Sequence, residues 1–373
     1  MIITFRLSAL GFGGTERVFL SVADYLSTSY GYSIHFVVDK VSGHETEQVA
    51  IAKGYRLVGL GAARSWKTVM PFSRYLCKWK PGIVISAYTE TNAAALIAKV
   101  LSSSRTPIII TEHAPIDEHW SGAPWLRKQV RELLVRYVYK LADRVSCVSR
   151  GMMQPIARRL NHPHISYIHN PVRFAMRLRS KDEARRRLGV PTGVAMLLAV
   201  GRVSRAKNYL MLLQSLRRLV DIDGWHLFIV GGVFEADEKS KLDQFIDEFG
   251  LADRLTFVGF THEVNTYYEA ADLLVLSSAW EGFGNVLVEG MAFGLPVVST
   301  RCNYGPAEIL ADGKFGVLVD VDDYTAMAAA IEQVLTNNPF LPERQVSRAQ
   351  DFSEQRIGEA YYQLICETLQ AKT

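Results

Sequence analysis

Residues 272–300 read Asp272-Leu-Leu-Val-Leu-Ser-Ser-Ala-Trp280, then Glu281-Gly-Phe-Gly-Asn-Val-Leu-Val-Glu289, then Gly290-Met-Ala-Phe-Gly-Leu-Pro-Val-Val-Ser-Thr300. Leu273 to Leu276 is an unbroken apolar run, the mark of a strand covered on both faces. Gly282 and Gly284 permit a tight turn and a close backbone approach to a ligand. Asn285 is placed to start a helix over about Val286 to Phe293, Gly294 ends it, and Pro296 opens a second buried strand at Val297-Val298. A strand, a Gly-rich turn and a helix N-terminus make an anion site, because unpaired N–H groups and the helix dipole face the turn. Glu281 lies in that turn and Glu289 about one helical turn inside. Carboxylates beside an anion site make sense as acceptors from sugar and ribose hydroxyls, not as partners of the phosphate.

The same strand-turn-helix pattern recurs outward from this stretch. Met196 to Val200 is an apolar strand followed by Gly201-Arg202-Val-Ser-Arg-Ala-Lys207-Asn208 and a helix over Tyr209 to Leu219. Arg202 and Lys207 at a strand's end can converge on a diphosphate, Arg by a fork and Lys as a point charge. Leu227–Val230 with Gly231-Gly232, and Leu255–Phe260, are two further βα units. Near the start, Ile2–Phe5 is strand-like, and Gly11-Phe-Gly13-Gly14-Thr-Glu-Arg17 opens a helix through about Leu26. Its glycine spacing is not the dinucleotide fingerprint. Strands at Ile34–Val38 and Ile83–Ser86 alternate with helical stretches at about Glu45–Lys53 and Val69–Trp79. The strand from Ile108 ends on Thr111-Glu112-His113, and ligands of open α/β sheets gather at such strand ends. Val145–Ser149 and Ile165–Ile168 are strands, and Asn170-Pro171 closes the first half.

Alternating strands and helices in both halves predict an α/β protein of two doubly wound domains. We place them at residues 1–172 and 193–352, with a linker at 173–192 and a final helix at 353–373. The linker holds an Arg-rich helix, Lys181 to Leu188, stopped by Gly189. Asp320-Val-Asp322-Asp323 reads as a turn and N-cap before a helix over Tyr324–Val334, Asp221-Ile-Asp223 as another turn, and Pro339–Arg348 as a connector. No metal site is expected.

A chain of 373 residues suits two cores, and 49% hydrophobic with 21% charged residues suits a soluble globular protein. No apolar run has the length of a membrane span, and the start lacks the basic segment of a signal peptide. Cys77, Cys147, Cys302 and Cys366 are scattered, as free thiols of a reducing compartment are. The net charge of +4 hides an asymmetry. Residues 1–175 carry 22 Lys+Arg against 11 Asp+Glu, and the remainder 20 against 27. A basic half calls for an anionic partner. No nucleic-acid module is apparent, so nucleic acid is not expected and an anionic membrane surface is.

Residues Pro124 to Leu141 have the helix period, with Leu126, Val130, Leu133, Leu134, Tyr137, Val138 and Leu141 in one apolar stripe. Arg127, Lys128, Arg131, Arg136 and Lys140 lie mostly off it, and Trp120, Trp125, Tyr137 and Tyr139 lie in or near it. Either the stripe packs on the sheet and leaves a solvated basic face, or the helix lies on a membrane. We expect packing for the stripe and a membrane role for the charge.

The Glu-x7-Glu stretch, its Glu-Gly-Phe-Gly start and Gly-Leu-Pro-Val-Val end, and the preceding Gly-Arg…Lys-Asn motif resemble family 4 of the retaining, nucleotide-sugar-dependent glycosyltransferases. The Gly-Gly-x-Glu-Arg loop at Gly13 also fits, and Cys302-Asn-Tyr-Gly-Pro-Ala-Glu-Ile resembles a bacterial surface-polysaccharide variant. The resemblance is tight from Ala199 to Val319 and loose before it. It implies a GT-B fold, with two Rossmann-like domains facing across a cleft and the last helix crossing back to the first. It implies transfer of a hexose or N-acetylhexosamine from a nucleoside diphosphate sugar, UDP-linked, to a hydroxyl of a lipid-linked saccharide acceptor, without metal or other cofactor. Such a protein would work on the inner face of the cytoplasmic membrane.

By the same resemblance Glu281, Arg202, Lys207 and His113 are the catalytic set. Gly13, Gly14, Gly231, Phe260, Gly282, Phe283, Gly284, Asn285, Val286, Leu287 and Glu289 bind the donor, Glu281 holding sugar hydroxyls and Glu289 the ribose. A nucleotide-sugar epimerase of the same architecture is the alternative; it would need no acceptor. A catalytically dead binding protein would lack one of Arg202, Lys207, Glu281 or Glu289, and all four are present.

Overall fold

Short apolar runs bounded by glycine and polar residues become parallel strands in a computed structural model that describes residues 1–11, 13–115, 125–174, 178–219 and 224–371. The chain forms two compact units, Met1–Pro171 with Ser353–Thr373, and Val172–Phe352.

In the first unit β1 (Ile2–Leu7), α1 (Gly14–Tyr30), β2 (Ser33–Val38), α2 (Glu45–Ala52), β3 (Arg56–Gly59), α3 (Val69–Trp79) and β4 (Ile83–Ala87) follow in order. After them come α4 (Thr89–Leu101), β5 (Ile108–Glu112), α5 (Trp125–Leu133), β6 (Arg144–Cys147), α6 (Arg150–Leu160) and β7 (Ile165–Tyr167). The sheet order is β3-β2-β1-β4-β5-β6-β7, parallel throughout. Ile3, Phe5, Leu7, Phe36, Ile83 and Ile85 are wholly buried in its core. Arg6 is buried among them, and its charge is met by Asp39 and by Thr68 Oγ1 at 2.8 Å.

The second unit holds α7 (Lys181–Leu188), β8 (Ala195–Val200), α8 (Tyr209–Arg217), β9 (Trp225–Val230), α9 (Ala236–Phe249), β10 (Leu255–Gly259), α10 (Val264–Ala270) and β11 (Leu273–Leu276). It continues with α11 (Asn285–Ala292), β12 (Val297–Thr300), α12 (Pro306–Ile309), β13 (Val317–Val319), α13 (Tyr324–Thr336) and α14 (Pro342–Ala349). Its parallel sheet runs β10-β9-β8-β11-β12-β13. Strand order therefore reverses between β8 and β11, and ligands of open α/β sheets bind outside the strand ends at such a switch point.

The final helix, α15 (Glu354–Gln370), belongs to the first unit. Ser353 caps it. It lies on α1 through Tyr30 and Tyr362, whose rings stack at 3.7 Å, and through Glu359, which accepts from Tyr30 at 2.6 Å and Tyr25 at 3.0 Å. Gly358 is needed there, since a Cβ would stand 2.3 Å from the Tyr25 ring.

Two expectations are corrected. Residues 339–348 are no plain connector. Pro342 starts α14, which turns Gln345 and Ala349 inward. The stripe in residues 124–141 does not pack on the sheet. Trp125, Leu126, Val130, Leu133, Tyr137 and Leu141 are exposed, and the buried side chains are Val135 and Tyr139. The physical reason is twofold. After α5 the helix widens to a π turn (Leu134–Val138) and then tightens to a 3-10 turn, which shifts the inward face. Polar contacts hold that face down, with Arg131 2.5 Å from Glu90 on α4. Trp120 lies outside the described residues, as do Pro124 and the Asp221-Ile-Asp223 turn.

Candidate active site in the second unit

Gly201 ends β8 at φ +153°, where a Cβ would strike Lys207 Cε at 2.5 Å. Tyr209 donates its hydroxyl to the Gly201 carbonyl at 2.9 Å. Gly231, at the end of β9, packs on Gly201 so closely that a Cβ would be 2.1 Å from the Gly201 oxygen. Glycine at both positions lets the two strand-end loops touch. Arg202 emerges from that junction exposed, with its guanidinium over the Phe234 ring at 4.3 Å.

Lys207 closes a 3-10 turn, and Asn208 in the left-handed region then starts α8. Its ammonium Nζ lies 2.6 Å from Glu281 Oε1. Ser278 Oγ donates to the same oxygen at 2.7 Å. Backbone bonds fix both partners. Ala279 N donates to Ala206 O at 2.8 Å and Ser277 Oγ to Lys207 O at 2.8 Å. The Glu281 turn is laced to the loop after β12, Glu281 N donating to Asn303 O and Tyr304 N to Glu281 O, each at 2.7 Å. Gly305 (φ +95°) passes so near Phe283 O that a Cβ would be 2.0 Å away. The Cys302 thiol beneath is pushed up to about 12 by burial and by the Glu281 charge, so it is inert as a nucleophile.

Gly284, at φ +100°, turns the chain into α11. The first amides of that helix lack intrahelical acceptors and point out of its end. Phe283 and Leu287 have buried side chains, which restricts any part they take in donor binding to their backbone. Glu289 lies within α11, and its Oε2 accepts from Tyr268 OH at 2.7 Å. Phe260, just past β10, is exposed and meets His262 edge-on. Cationic Arg202 and Lys207, a helix N-terminus and two carboxylates thus belong to the strand ends about the β8/β11 switch point. Cations and unpaired helix amides suit an anion, and carboxylates suit hydroxyl donors.

Asp323 accepts from Ala326 N at 2.8 Å as the cap of α13, and Asp322 accepts from Asn208 Nδ2 at 2.8 Å. Among the described residues no three His, Cys, Asp or Glu side chains group as a metal site requires. A cavity of about 560 Å³ lies apart from these residues, beside edge strand β13 between Lys314, Phe315, Phe340 and Arg344. The chemistry at the switch point, not cavity size, locates the candidate site.

In the first unit, Gly13 caps α1, and a Cβ there would meet Glu16 Oε2 at 2.1 Å. Gly14 is the first residue of that helix. His113 follows β5, its ring edge against Phe19 and its Nε2 3.0 Å from Thr111 Oγ1. Burial pushes its pKa down to about 3, so the ring is neutral. Adjacent Glu112 is pushed up to about 7 by burial, against the pull of its bonds from Tyr139 and Asn92.

Sequence reasoning missed Ser278, Tyr209, Phe234 and Tyr268. Ser278 carried a local signal, a hydroxyl three residues before Glu281, and Tyr209 stands two residues after Lys207 at the start of α8; Phe234 and Tyr268 reach the site from other βα units and carried none.

Residues 180–352 match the family described as "Glycosyl transferases group 1", and residues 12–175 that described as "Glycosyltransferase Family 4". The chain belongs to the group 1, family 4 glycosyltransferases. This glycosyltransferase is 25% identical over 384 residues, all of both chains, to a Campylobacter jejuni protein. That relative is named GalNAc-alpha-(1->4)-GalNAc-alpha-(1->3)-diNAcBac-PP-undecaprenol alpha-1,4-N-acetyl-D-galactosaminyltransferase. Among solved structures, sucrose-phosphate synthase from Thermosynechococcus elongatus matches with a TM-score of 0.83 at 21% identity over 99% of each chain. Anabaena HepE, solved with UDP, matches at 0.82 and 20% identity over all of both chains. The glycosyltransferase therefore has the GT-B fold, two parallel α/β sheets with the C-terminal helix returned to α1.

Proposed function

We propose that this glycosyltransferase moves a hexose or N-acetylhexosamine from a UDP-sugar to a hydroxyl of a lipid-linked saccharide, with retention at the anomeric carbon, in surface-polysaccharide or glycan assembly. The observation that carries this reading is the Lys207–Glu281 contact of 2.6 Å at the β8/β11 switch point, beside the N-terminus of α11. Breaking the anomeric C–O bond leaves an electron pair, and negative charge, on the departing diphosphate. Arg202, Lys207 and the α11 amides stabilise that charge as preorganised donors. Glu281 takes sugar hydroxyls, Glu289 the ribose, and Phe260 the base side. His113, Gly13 and Gly14 of the first unit are assigned to the sugar and acceptor end, His113 as a neutral imidazole. This reading gives no step to a metal.

The test is a panel of UDP- and other nucleotide sugars incubated with and without a polyprenyl-diphosphate-linked saccharide, in excess EDTA. The expected result is acceptor-dependent transfer from one donor with the anomeric configuration kept. Epimerised nucleotide sugar formed without acceptor would replace this reading with the epimerase, and rescue of a dead EDTA reaction by Mg²⁺ would reinstate a metal.

The membrane partner is part of the same proposal. Exposed Trp125, Leu126 and Leu133 share α5 with Arg127, and Arg136, Tyr137 and Lys140 follow at once. Each basic residue near an anionic surface contributes about 1 kcal/mol, and apolar side chains add insertion. Among the described residues no helix is long and apolar enough to cross a membrane. We assign the protein to the inner face of the cytoplasmic membrane through this segment. Co-sedimentation with anionic vesicles should fall with salt and on reversing Arg127, Arg136 and Lys140 to Glu; binding indifferent to both refutes the assignment.

A further inference from the structure

Glu289 is held by a second residue. Tyr268 lies on α10, which precedes β11, whereas Glu289 lies on α11, which follows it. The tyrosine is 1% exposed, and its ring stacks on Phe293 at 5.5 Å between centroids and 11° between planes. Phe293 is the residue that ends α11. Packing thus fixes the ring, and the ring in turn fixes its hydroxyl, which donates to Glu289 Oε2 at 2.7 Å. A partly exposed glutamate otherwise samples several rotamers. Here one carboxylate oxygen is tied back to α10, and the side chain is ordered before any ligand arrives.

The geometry points to Tyr268 as a positioning residue for nucleotide recognition. It holds Glu289 so that the carboxylate is presented to the vicinal 2′,3′-diol of a ribonucleoside diphosphate. Preference for ribose then resides in the Tyr268–Glu289 pair and not in Glu289 alone. This inference rests on the proposed assignment of Glu289 to the ribose.

Two effects of losing the hydroxyl oppose each other. A carboxylate relieved of one donor has more acceptor capacity for others, a gain smaller than one hydrogen bond. A glutamate released from its partner must be ordered on binding, which lowers affinity by about five- to tenfold. The second effect is larger, so the expected sign is a loss. The loss is confined to ligands that carry the diol.

Calorimetry with UDP and with 2′,3′-dideoxy-UDP tests this on wild type, Tyr268→Phe, Glu289→Ala and the double variant. Tyr268→Phe keeps the ring and its stack. It should weaken UDP binding by about five- to tenfold and leave the dideoxy ligand unchanged. In the Glu289→Ala background it should not alter the ratio between the two ligands. With the natural donor, KM should rise by the same factor while kcat stays within about twofold. Equal weakening of both ligands, or an unchanged ratio, overturns the positioning role even where wild type still prefers UDP. A wild type that binds both ligands equally removes the ribose assignment of Glu289, and this inference with it. If Tyr268→Phe does not fold, Phe293→Leu, which frees the ring but keeps the hydroxyl, carries the same expected loss of ratio.

Discussion

Replacing Lys207 by Met separates two jobs of one ammonium group. Lys207 and Glu281 are mostly buried, with side chains 17% and 14% exposed, and their charged atoms are 2.6 Å apart. Removing the ammonium leaves the Glu281 carboxylate with Ser278 Oγ as its side-chain donor. A hydrogen bond to a charged group contributes about 1.5–3 kcal/mol, and the stranded carboxylate adds to the loss. At about 2–4 °C per kcal/mol for a chain segment of this size, the melting temperature should fall on the order of 5 °C. Adding Glu281→Gln removes the stranded charge, so the double variant should regain more than half of that fall. Turnover should behave differently. On the proposed leaving-group role, Arg202 and the α11 amides remain but the ammonium is lost, so Lys207→Met should lose about 10²–10³-fold in kcat, with no recovery in the double variant. Thermal unfolding and UDP release in the presence of acceptor read the two quantities. A Lys207→Met enzyme within tenfold of wild type refutes the leaving-group role; a double variant no more stable than the single one refutes the account of the ion pair.

Arg202→Ala should lower kcat/KM by about 10²-fold or more with little change in stability, because the side chain is exposed and stands at a strand's mouth. Phe234→Leu, which removes the ring 4.3 Å from that guanidinium, should cost a smaller factor of about three to ten; equal losses would mean that Phe234 does more than orient Arg202. Glu112 is raised from 4.5 to about 7 by burial, so between those values the folded state binds the extra proton and stability falls as pH rises. Glu112→Gln removes that fall and should gain on wild type between pH 5 and pH 8, on the order of 1–3 kcal/mol by denaturant midpoint; a difference flat in pH refutes it.

The candidate site was legible because its chemistry lies in strand-end loops that are continuous in sequence. Gly201-Arg202…Lys207 and Glu281…Glu289 each follow an apolar run, and the doubly wound order makes β8 and β11 neighbours. Lys207 and Glu281 therefore meet across 74 positions without any local signal for their pairing. Tyr268 and Phe234 were not legible, since each acts from another βα unit and nothing in its own neighbourhood marks it. Thr89–Leu101 escaped for the opposite reason. Asn92 through Leu96 are all buried, so α4 has no polar face and no amphipathic period to detect.

Residues 125–141 show how far periodicity reaches. An apolar stripe at helical spacing identifies an amphipathic helix, but its direction is fixed by what the rest of the fold offers. Here the fold offers Glu90 to Arg131 and Arg159 to Glu132, at 2.5 and 3.7 Å, and accepts Val135 and Tyr139 after the π turn. The polar side is thereby bound, and Trp125 and Leu126 stand 72% and 66% exposed. Surface ion pairs contribute little individually, about 0–1 kcal/mol, so they do not by themselves outweigh the burial of six large apolar side chains. An apolar face left outward on those terms marks a surface for a partner. On the membrane reading proposed above, an anionic bilayer would supply both halves of such a surface, its acyl boundary for Trp125, Leu126 and Leu133 and its headgroups for Arg127, Arg136 and Lys140. Exchanging Trp125, Leu126 and Leu133 for Ser should therefore leave the fold intact, raise solubility and abolish the salt-resistant part of vesicle binding. A variant that unfolds would show instead that these side chains belong to a core.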